Sequence, residues 1–238
     1  MTIITERMQA VKASINAAAI ANGRNPDTIK LLAVSKAHGA EKIREAYTVG
    51  QRSFGENYLQ EALDKQTQLP DLDIDWHFIG PIQSNKTQLI AQRFAWVHGV
   101  DRLKIAERLN AARPLNMPPL QVCIQLNVSG EASKSGVNPK DVYPLAEAIT
   151  QLPNLQLRGL MSIPAPTSDI SLQRTQFRLV RETFEELRQQ LPEATSLDTL
   201  SMGMSEDYAA AIAEGATIIR IGSAIFGARP VKLKEQAS

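Results

Sequence analysis

Cysteine and histidine are scarce in this sequence. Its 238 residues include one cysteine, Cys123, and three histidines, His38, His77 and His98. A single cysteine excludes an intramolecular disulfide and a zinc site built from several thiolates. The histidines lack metal-ligand spacing, so we expect no metal centre. Because the neighbours of Cys123 in the segment VCIQLNV are mostly apolar, we expect a buried, unreactive thiol rather than a nucleophile.

An excess of charge of either sign is also missing. Lysine and arginine number 26, aspartate and glutamate 25, and the net charge is +1. This balance argues against broad binding to nucleic acid or to anionic membranes. The N-terminus, MTIITERMQAVK, has no apolar signal-peptide core, and no uncharged apolar run reaches membrane-spanning length. We therefore expect a soluble, cytoplasmic protein.

Short apolar runs recur along the chain, each followed by a polar turn and, in most cases, an amphipathic stretch. Their Val, Ile and Phe content and their short lengths favour strands over helices. The predicted strands are Leu31–Lys36, Ser53–Asn57, Asp75–Gly80, Trp96–Asp101, Leu120–Ser129, Leu155–Ile163, Ser196–Met204 and Thr217–Gly222. Helix ends are predicted at Gly23, Gly50 and Gly215, and helix starts at Ser84, Asp101, Asn138-Pro139 and Ser205.

The regular alternation of strands and helices predicts right-handed crossovers and a parallel sheet. Such a sheet can be open and doubly wound, or closed into a (β/α)8 barrel. An open sheet would carry a glycine-rich phosphate fingerprint after the first strand, whereas the segment there, VSKAHGA, has no G-x-G-x-x-G. The strand number, the chain length and the similar spacing of the first strands favour one TIM-barrel domain over residues 1–238.

Lys36 is the first candidate for chemistry, because it ends the first predicted strand. By period two it lies on the same strand face as Leu32 and Val34. In a barrel enzyme the carboxyl ends of the strands form the mouth of the active site. Desolvation in such a mouth lowers the pKa of a lysine and frees its amine to form a Schiff base with a carbonyl. A solvated lysine at the start of a loop is the commoner situation, so other features must decide.

Gly/Ser-rich segments follow the last two predicted strands. SMGMS (Ser201–Ser205) leads into a helix, and IGSA (Ile221–Ala224) also contains a glycine. These two loops, with a helix N-terminus, are the usual phosphate site of the barrel fold. Each segment alone is an ordinary turn. Together, with the hydroxyls of Ser201 and Ser223, they indicate phosphate binding.

Arg220 lies in the last predicted strand, with isoleucine on either side. A guanidinium inside a strand needs an acceptor, because an unpaired buried charge is costly. That acceptor can be a carboxylate, such as Asp198 or Glu56, or an atom of a ligand. A carbonyl-reactive lysine, a phosphate site and a buried arginine fit pyridoxal 5′-phosphate (PLP), with the arginine facing the ring nitrogen.

An ordered set of motifs carries a family resemblance: LLAVSK, FGENYLQE, WHFIGPIQSNK, NVSGEASKSG, LRGLMSIPAP, LSMGMSEDYAAAI and RIGSAIFGAR. From Ile29 to Arg229 the chain resembles the YggS/PROSC family of PLP-binding proteins, known as PLP homeostasis proteins. That family is similar to the barrel domain of alanine racemase, PLP fold type III.

The resemblance assigns roles to several residues. It implies that Lys36 carries a Schiff base with PLP and that Arg220 meets the pyridine nitrogen. It also implies that the phosphate is surrounded by Ser201, Gly203, Gly222 and Ser223. Three residues at the ends of predicted strands are further expected to line the pocket: Asn57, His77 and Met161.

Three functions are compatible with these features: a PLP-binding homeostasis protein, a PLP-dependent amino-acid racemase, and a cofactor-free aldolase with a reactive lysine. Alanine racemases carry a second, β-rich domain that supplies a catalytic tyrosine, whereas this chain ends soon after the eighth predicted strand. An arginine at the pyridine nitrogen also makes PLP a weak electron sink. We therefore expect a monomeric, non-enzymatic PLP carrier with PLP-dependent apo-enzymes as partners, and the racemase is the alternative. The roles of Lys134, Lys232 and Lys234 stay open.

Overall fold

Each predicted apolar run forms a β-strand in the computed structural model, which describes residues 2–128, 135–194 and 196–228. The strands are β1 (Lys30–Val34), β2 (Ser53–Glu56), β3 (Asp75–Phe78), β4 (Trp96–Val100), β5 (Leu120–Leu126), β6 (Leu155–Ser162), β7 (Thr199–Ser201) and β8 (Ile218–Ile221). They pair in chain order, all parallel, and β8 pairs with β1. The predicted closed barrel is therefore confirmed. Lys134, Lys232 and Lys234 lie outside the described residues.

All eight strands end one to three residues earlier than the sequence predicts, and the difference matters most for the site at β1 and β7. β1 stops at Val34, because Ala37 has a φ of +64° and the chain turns there. β7 contains three residues rather than the whole of Ser196–Met204, and Gly203, with a φ of +93°, turns the chain away from the barrel wall. Lys36 therefore lies in the turn after β1 and not within the strand.

The helices lie around the strands. They are α1 (Ile3–Ala21), α2 (Ala40–Thr48), α3 (Leu59–Gln68), α4 (Thr87–Arg93), α5 (Leu103–Ala112), α6 (Pro139–Thr150), α7 (Ile170–Gln190), α8 (Tyr208–Ala213) and α9 (Ser223–Phe226). Glycines with positive φ follow α1, α2 and α8, which confirms the helix ends predicted at Gly23, Gly50 and Gly215. No helix in the described part of the chain is long and apolar enough to cross a membrane.

Some helix starts differ from the prediction. Asn138 caps α6 and Pro139 is its first residue, as predicted. In contrast, Ser84 begins a 3-10 turn, Ser84–Lys86, that leads into α4, and Asp101 and Ser205 lie before the first residues of α5 and α8. At the last of these places the carboxylate of Asp207 accepts a hydrogen bond from the backbone N–H of Met204 (2.5 Å). This contact holds a turn, so α8 begins later.

The hydrophobic core has two parts, one on each side of the strands. Ala33, Phe54 and Ile219 belong to the larger part, which packs against the helices. Alternate residues point the other way, into the barrel, where a smaller cluster is formed by Leu32, Val34, Ile79 and Ile218. The strand face that leads toward Lys36 therefore lines the barrel interior.

The single cysteine is part of this packing. Cys123 lies in β5 and is fully buried. Burial raises the pKa of its thiol to about 12, so the thiol stays protonated at neutral pH and is a poor nucleophile. The predicted burial of Cys123 is confirmed, and its raised pKa agrees with the expectation of an unreactive thiol.

Candidate functional site

A cavity of about 310 Å³ opens at the carboxyl ends of the strands. Its wall contains residues that follow β1, β2, β6, β7 and β8. The predicted site residues found in that wall are Lys36, Asn57, Arg220, Gly222 and Ser223. This is the end of the barrel at which TIM-barrel proteins bind their ligands, so the cavity is the candidate functional site.

The other predicted site residues do not line the cavity. His77 and Ser201 are fully buried and are hydrogen-bonded within the protein. Met161 is buried in β6. Gly203 packs so closely on α8 that a Cβ atom there would lie 2.6 Å from the Cβ of Ala211. Gly203 therefore serves the contact between β7 and α8.

The backbone on both sides of Lys36 is fixed by hydrogen bonds. The N–H of Ala37 donates to a carboxylate oxygen of Glu61 (2.6 Å). This contact supports a left-handed backbone conformation that costs a non-glycine residue about 1–2 kcal/mol. On the other side, the hydroxyl of Ser35 donates to Glu56 (2.6 Å). Lys36 is thus held at the cavity wall by its two neighbours.

A buried lysine completes this arrangement. The Nζ of Lys65 donates to the carbonyl of Ser35 (2.8 Å), to Glu56 (2.7 Å) and to Glu61 (2.5 Å). Desolvation raises the pKa of Glu56, and the charge and hydrogen bond of Lys65 oppose that rise. We call Ser35, Glu56, Glu61 and Lys65 the lysine clamp, because together they fix the turn that carries Lys36.

Arg220 is buried in β8 and also reaches the cavity wall. Its Nη1 donates to the carbonyl (2.5 Å) and to the hydroxyl (2.9 Å) of Ser201, and its Nη2 donates to the carbonyl of Ser162 (2.8 Å). Burial lowers the pKa of Arg220 to about 10, with Asp207 opposing that shift. The guanidinium therefore remains a cation at neutral pH and can face an acceptor in the cavity.

Neither carboxylate suggested as a partner from the sequence contacts Arg220. Asp198 pairs with Arg158, and Glu56 pairs with Lys65. Asp198 lies just before β7, at the amino end of that strand, and so it is far from the cavity end. The suggested carboxylate partners are wrong, and neutral oxygens take their place.

The last two loops form one side of the cavity. A Cβ atom on Gly222 would lie 3.0 Å from the carbonyl oxygen of Val34, so the backbone approaches β1 closely there. The hydroxyls of Ser205 and Ser223 are 3.5 Å apart. Ser223 is also the first residue of α9, and the first N–H groups of a helix have no acceptor within it. These donors suit an anion.

Two buried polar atoms near this site lack a hydrogen-bond partner. They are the side-chain oxygens of Asn57 and Ser162. Buried polar groups are normally satisfied. The oxygen of Asn57 lies at the cavity wall and can accept a hydrogen bond from a bound group, whereas Ser162 does not line the cavity. Within the described ranges, no group of three or more His, Cys, Asp or Glu side chains is arranged to hold a metal ion.

Several site residues were not predicted to line a pocket. Ser205 was predicted as a helix start and as the last residue of the phosphate-binding segment Ser201–Ser205, without a role of its own, and Asp207 was not singled out. Both line the cavity. His98 lies beneath Arg220 and is bonded to Ser201. Strand alternation from Trp96 would have placed His98 on the inner face, but nothing local in the sequence shows what it contacts.

Comparisons with known proteins agree with this geometry. Residues 9–230 match the family described as alanine racemase, N-terminal domain. The chain is 59% identical over 229 residues to the pyridoxal phosphate homeostasis protein of Pseudomonas aeruginosa, covering 96% of this chain and 97% of that protein. PipY of Synechococcus elongatus, solved with PLP bound, is 39% identical with a TM-score of 0.82, covering 94% of this chain and all (100%) of that one.

An alanine racemase from Clostridium difficile has the same fold at 14% identity and a TM-score of 0.70. It covers 95% of this chain, whereas the matched part is 58% of the racemase. This similarity supports the barrel fold alone, because a sequence identity of 14% is too low to indicate a shared function.

Proposed function

The chain belongs to the family of pyridoxal phosphate homeostasis proteins, within the larger alanine racemase N-terminal domain family, and from this we propose that it binds PLP and serves PLP homeostasis. The observation that carries the proposal is the placement of Lys36 and Arg220 in the wall of one cavity. One group can attack an aldehyde and the other can face a ring nitrogen. The PLP-bound relative, PipY, supports the same conclusion.

The residues present fit PLP. When bound, PLP supplies an aldehyde that combines with amines and a ring that withdraws electrons. We propose that the neutral amine of Lys36 attacks the aldehyde carbon and that one water molecule leaves, giving the Schiff base. Arg220 then donates to the ring nitrogen, and the unpaired oxygen of Asn57 accepts a donor from the cofactor or from water.

The phosphate contacts that we propose differ in part from the sequence-based assignment. Ser205, Ser223 and the backbone at Gly222 line the cavity and offer hydroxyl and N–H donors. The hydroxyl of Ser201 is occupied by Arg220 and by His98. We therefore propose Ser205 rather than Ser201 as the phosphate contact from the loop after β7.

The remaining predicted residues take supporting roles in this proposal. Gly203 lets β7 lead closely into α8, as its packing on Ala211 indicates. His77 and Met161 are buried away from the cavity wall, so we propose that they contact other protein groups and not the cofactor.

We further propose that the protein is a carrier without robust turnover, acting as a cytoplasmic monomer that passes PLP to PLP-dependent apo-enzymes. Relatives at 49–59% identity are named homeostasis proteins. The cation at Arg220 disfavours protonation of the ring nitrogen, which weakens the electron withdrawal that racemisation needs. An amino-acid racemase on the same barrel is the second candidate, and it rests on the shared fold.

The first test concerns PLP attachment. Wild-type protein mixed with PLP should show a visible absorption band, and borohydride should trap the label on the peptide that contains Lys36. Lys36→Ala and Lys36→Arg should lack the band, since neither side chain can form the bond. Lys140→Ala, on the exposed side of α6, is the control and should retain it. Trapping on another lysine in the wild type would contradict the assignment.

The second test separates the carrier from the racemase. Holo-protein incubated with a PLP-dependent apo-enzyme should activate that enzyme, and Lys36→Ala should be a poorer donor. Amino acids mixed with the holo-protein should show little racemisation. Sustained turnover of one amino acid, at the roughly 1–10³ s⁻¹ common among enzymes, would favour the racemase instead.

A further inference from the structure

A line of buried polar side chains crosses the barrel interior beneath Arg220. The Nη1 of Arg220 lies 2.9 Å from the hydroxyl of Ser201, and that hydroxyl lies 2.8 Å from the Nδ1 of His98. The Nε2 of His98 is 2.8 Å from the Nδ1 of His77, whose Nε2 is 3.0 Å from a carboxylate oxygen of Asp75. We call these five residues the polar chain. It joins β8, β7, β4 and β3.

The polar chain connects the cavity with the opposite end of the barrel. Arg220 lines the cavity, whereas Asp75 is the first residue of β3 and its side chain is 31% exposed. The residues between them, His77, His98 and Ser201, have no exposed surface. The interior of this barrel is therefore not filled by aliphatic layers alone, and a change at its far end can reach the cavity through hydrogen bonds.

The two ends set the direction of every hydrogen bond in the polar chain. A guanidinium can only donate, and an ionised carboxylate can only accept. Asp75 therefore takes the N–H from Nε2 of His77, and the Nδ1 of a neutral His77 must accept from His98. Nδ1 of His98 in turn accepts the Ser201 hydroxyl, whose oxygen accepts from Arg220. With both rings neutral, each therefore carries its proton on Nε2.

The surroundings of the two rings favour this state. Desolvation lowers the pKa of His77, with Asp75 opposing and Lys30 adding to the shift. Desolvation also lowers the pKa of His98 well below its usual value, with His77, Arg220 and Lys30 adding to the shift and Asp75 opposing it. Neutral rings are therefore expected at neutral pH.

We propose that Asp75, His77, His98 and Ser201 are positioning residues for Arg220: their oriented hydrogen bonds hold the guanidinium in place to face the cofactor ring. This inference rests on the proposed PLP binding. Each donor in such a line strengthens its neighbour as an acceptor, so the Ser201 hydroxyl binds Arg220 more firmly than an isolated serine does. Asp75, at the far end, thereby sets the orientation of a group in the cavity.

Asp75→Leu tests the direction of the polar chain. The carboxylate oxygen that accepts from His77 also accepts from the Nζ of Lys30 (2.7 Å). Without that oxygen the ammonium of Lys30 can donate to Nε2 of His77, which would move the ring proton to Nδ1 and, in turn, the proton of His98 to its Nδ1. The Ser201 oxygen would then accept from two donors and its own proton would lose its acceptor. Because the sequence has three histidines, nitrogen-15 NMR of PLP-free protein can read each tautomer. This measurement does not depend on PLP binding.

A second experiment measures the rate at which PLP is released, from the decay of the visible absorption band after the holo-protein is diluted. Asp75→Leu and Ser201→Ala should each release PLP about three- to tenfold faster, the usual effect of losing one hydrogen bond. Their absorption maximum should also shift from that of the wild type. Thermal unfolding of the PLP-free variants shows whether each one still folds.

Two control variants remove neighbouring groups and leave the polar chain intact. Lys30→Gln removes the ion pair of Lys30 with Asp75 (2.7 Å) but keeps the carboxylate that accepts from His77. Ser162→Ala removes a buried hydroxyl with no hydrogen-bond partner and keeps the carbonyl that accepts from Arg220. Both controls should retain the wild-type tautomers, and their PLP release should match the wild type within about twofold.

The outcomes are separable from those of the PLP tests. The proposal is supported if both wild-type rings carry their protons on Nε2 and if PLP is released faster from the Asp75 and Ser201 variants but not from the two controls. Nδ1 protons on either ring of the wild type, or Asp75→Leu with unchanged tautomers and unchanged release, overturn it. If the wild type binds no PLP, the proposed function fails, whereas the tautomer measurement still decides the direction of the polar chain.

Discussion

Lys36 illustrates how far one residue depends on its neighbours. Its position comes from Ser35 and Ala37, whose polar groups are engaged by Glu56 and Glu61. The ion pair of Lys65 with Glu56 is buried, and such pairs often add little net stability. We infer that the lysine clamp fixes the orientation of the turn, although burying its charged groups costs desolvation free energy.

A prediction at this scale concerns Lys65→Met. Removing one partner of a buried ion pair leaves the other charge uncompensated, which costs about 3–5 kcal/mol. We expect the free energy of unfolding in urea to fall by about that amount at pH 8. The double variant Lys65→Met/Glu56→Gln should recover part of the loss, because it also removes the carboxylate. An equal loss in the single and double variants would contradict this reading.

The same variant should depend on pH. The pKa of Glu56 is already raised by burial, and removal of Lys65 raises it further. A carboxyl group whose pKa is higher in the folded state binds a proton on folding, so its contribution to stability is present at low pH and is lost as the pH rises through the raised value. Lys65→Met should therefore be less destabilising at pH 5 than at pH 8, measured by urea unfolding at both values.

At the scale of elements, the backbones of β6 and β7 approach each other so closely that one position in β6 has no room for a side chain. Gly159 in β6 has a φ of +152°, and a Cβ atom there would lie 1.9 Å from the carbonyl oxygen of Thr199. β7 is short and pairs with β6 through few residues. A side chain at Gly159 therefore pushes apart two strands that carry Ser162 and Ser201, whose oxygens accept hydrogen bonds from Arg220 beneath the cavity.

We predict that Gly159→Ala is severely destabilising, with a loss above about 3 kcal/mol in the free energy of unfolding, the range of the worst overpacking and strain effects. Gly23→Ala is the matched control. Gly23 also has a positive φ, of +67°, but a Cβ atom there meets nothing within 4 Å. It should lose only about 1–2 kcal/mol, from the left-handed backbone alone. If chemical denaturation shows equal losses of unfolding free energy in the two variants, neighbouring atoms must move to relieve the clash at Gly159.

At the scale of the whole molecule, barrel closure links the inner and outer parts of the core. β1 and β8 contribute residues to both parts, and β8 pairs with β1 to close the barrel. Separate unfolding of the inner cluster would require the strands to part, which would also expose the outer cluster. The chain should therefore unfold as one cooperative unit.

The two tryptophans can test this prediction. Trp76 packs in the outer part of the core, and Trp96 packs against the inner cluster. Trp96→Phe and Trp76→Phe each leave one reporter. We expect the fluorescence of either variant to change at the same urea concentration as its circular dichroism. A fluorescence transition that precedes the loss of secondary structure in either variant would show that the two parts unfold separately.

The sequence by itself determined the barrel and the two residues central to its cavity. Strand periodicity and the turn glycines are local properties, since each depends on a few neighbouring residues. They were enough to place every strand of the barrel and the helix ends at Gly23 and Gly50. They also placed Lys36 at the end of the first predicted strand and Arg220 within the last one, and both residues line one cavity in the structure.

Only the tertiary structure decided what the interior polar groups contact. His98 and Ser201 are 103 residues apart in sequence and share a hydrogen bond, and Lys65 reaches the carbonyl of Ser35 across 30 residues. Periodicity shows that a side chain points inward but not which strand lies opposite or at what height, because that depends on register and on barrel closure. Hence Ser201 lies beneath Arg220, while Ser205 faces the cavity.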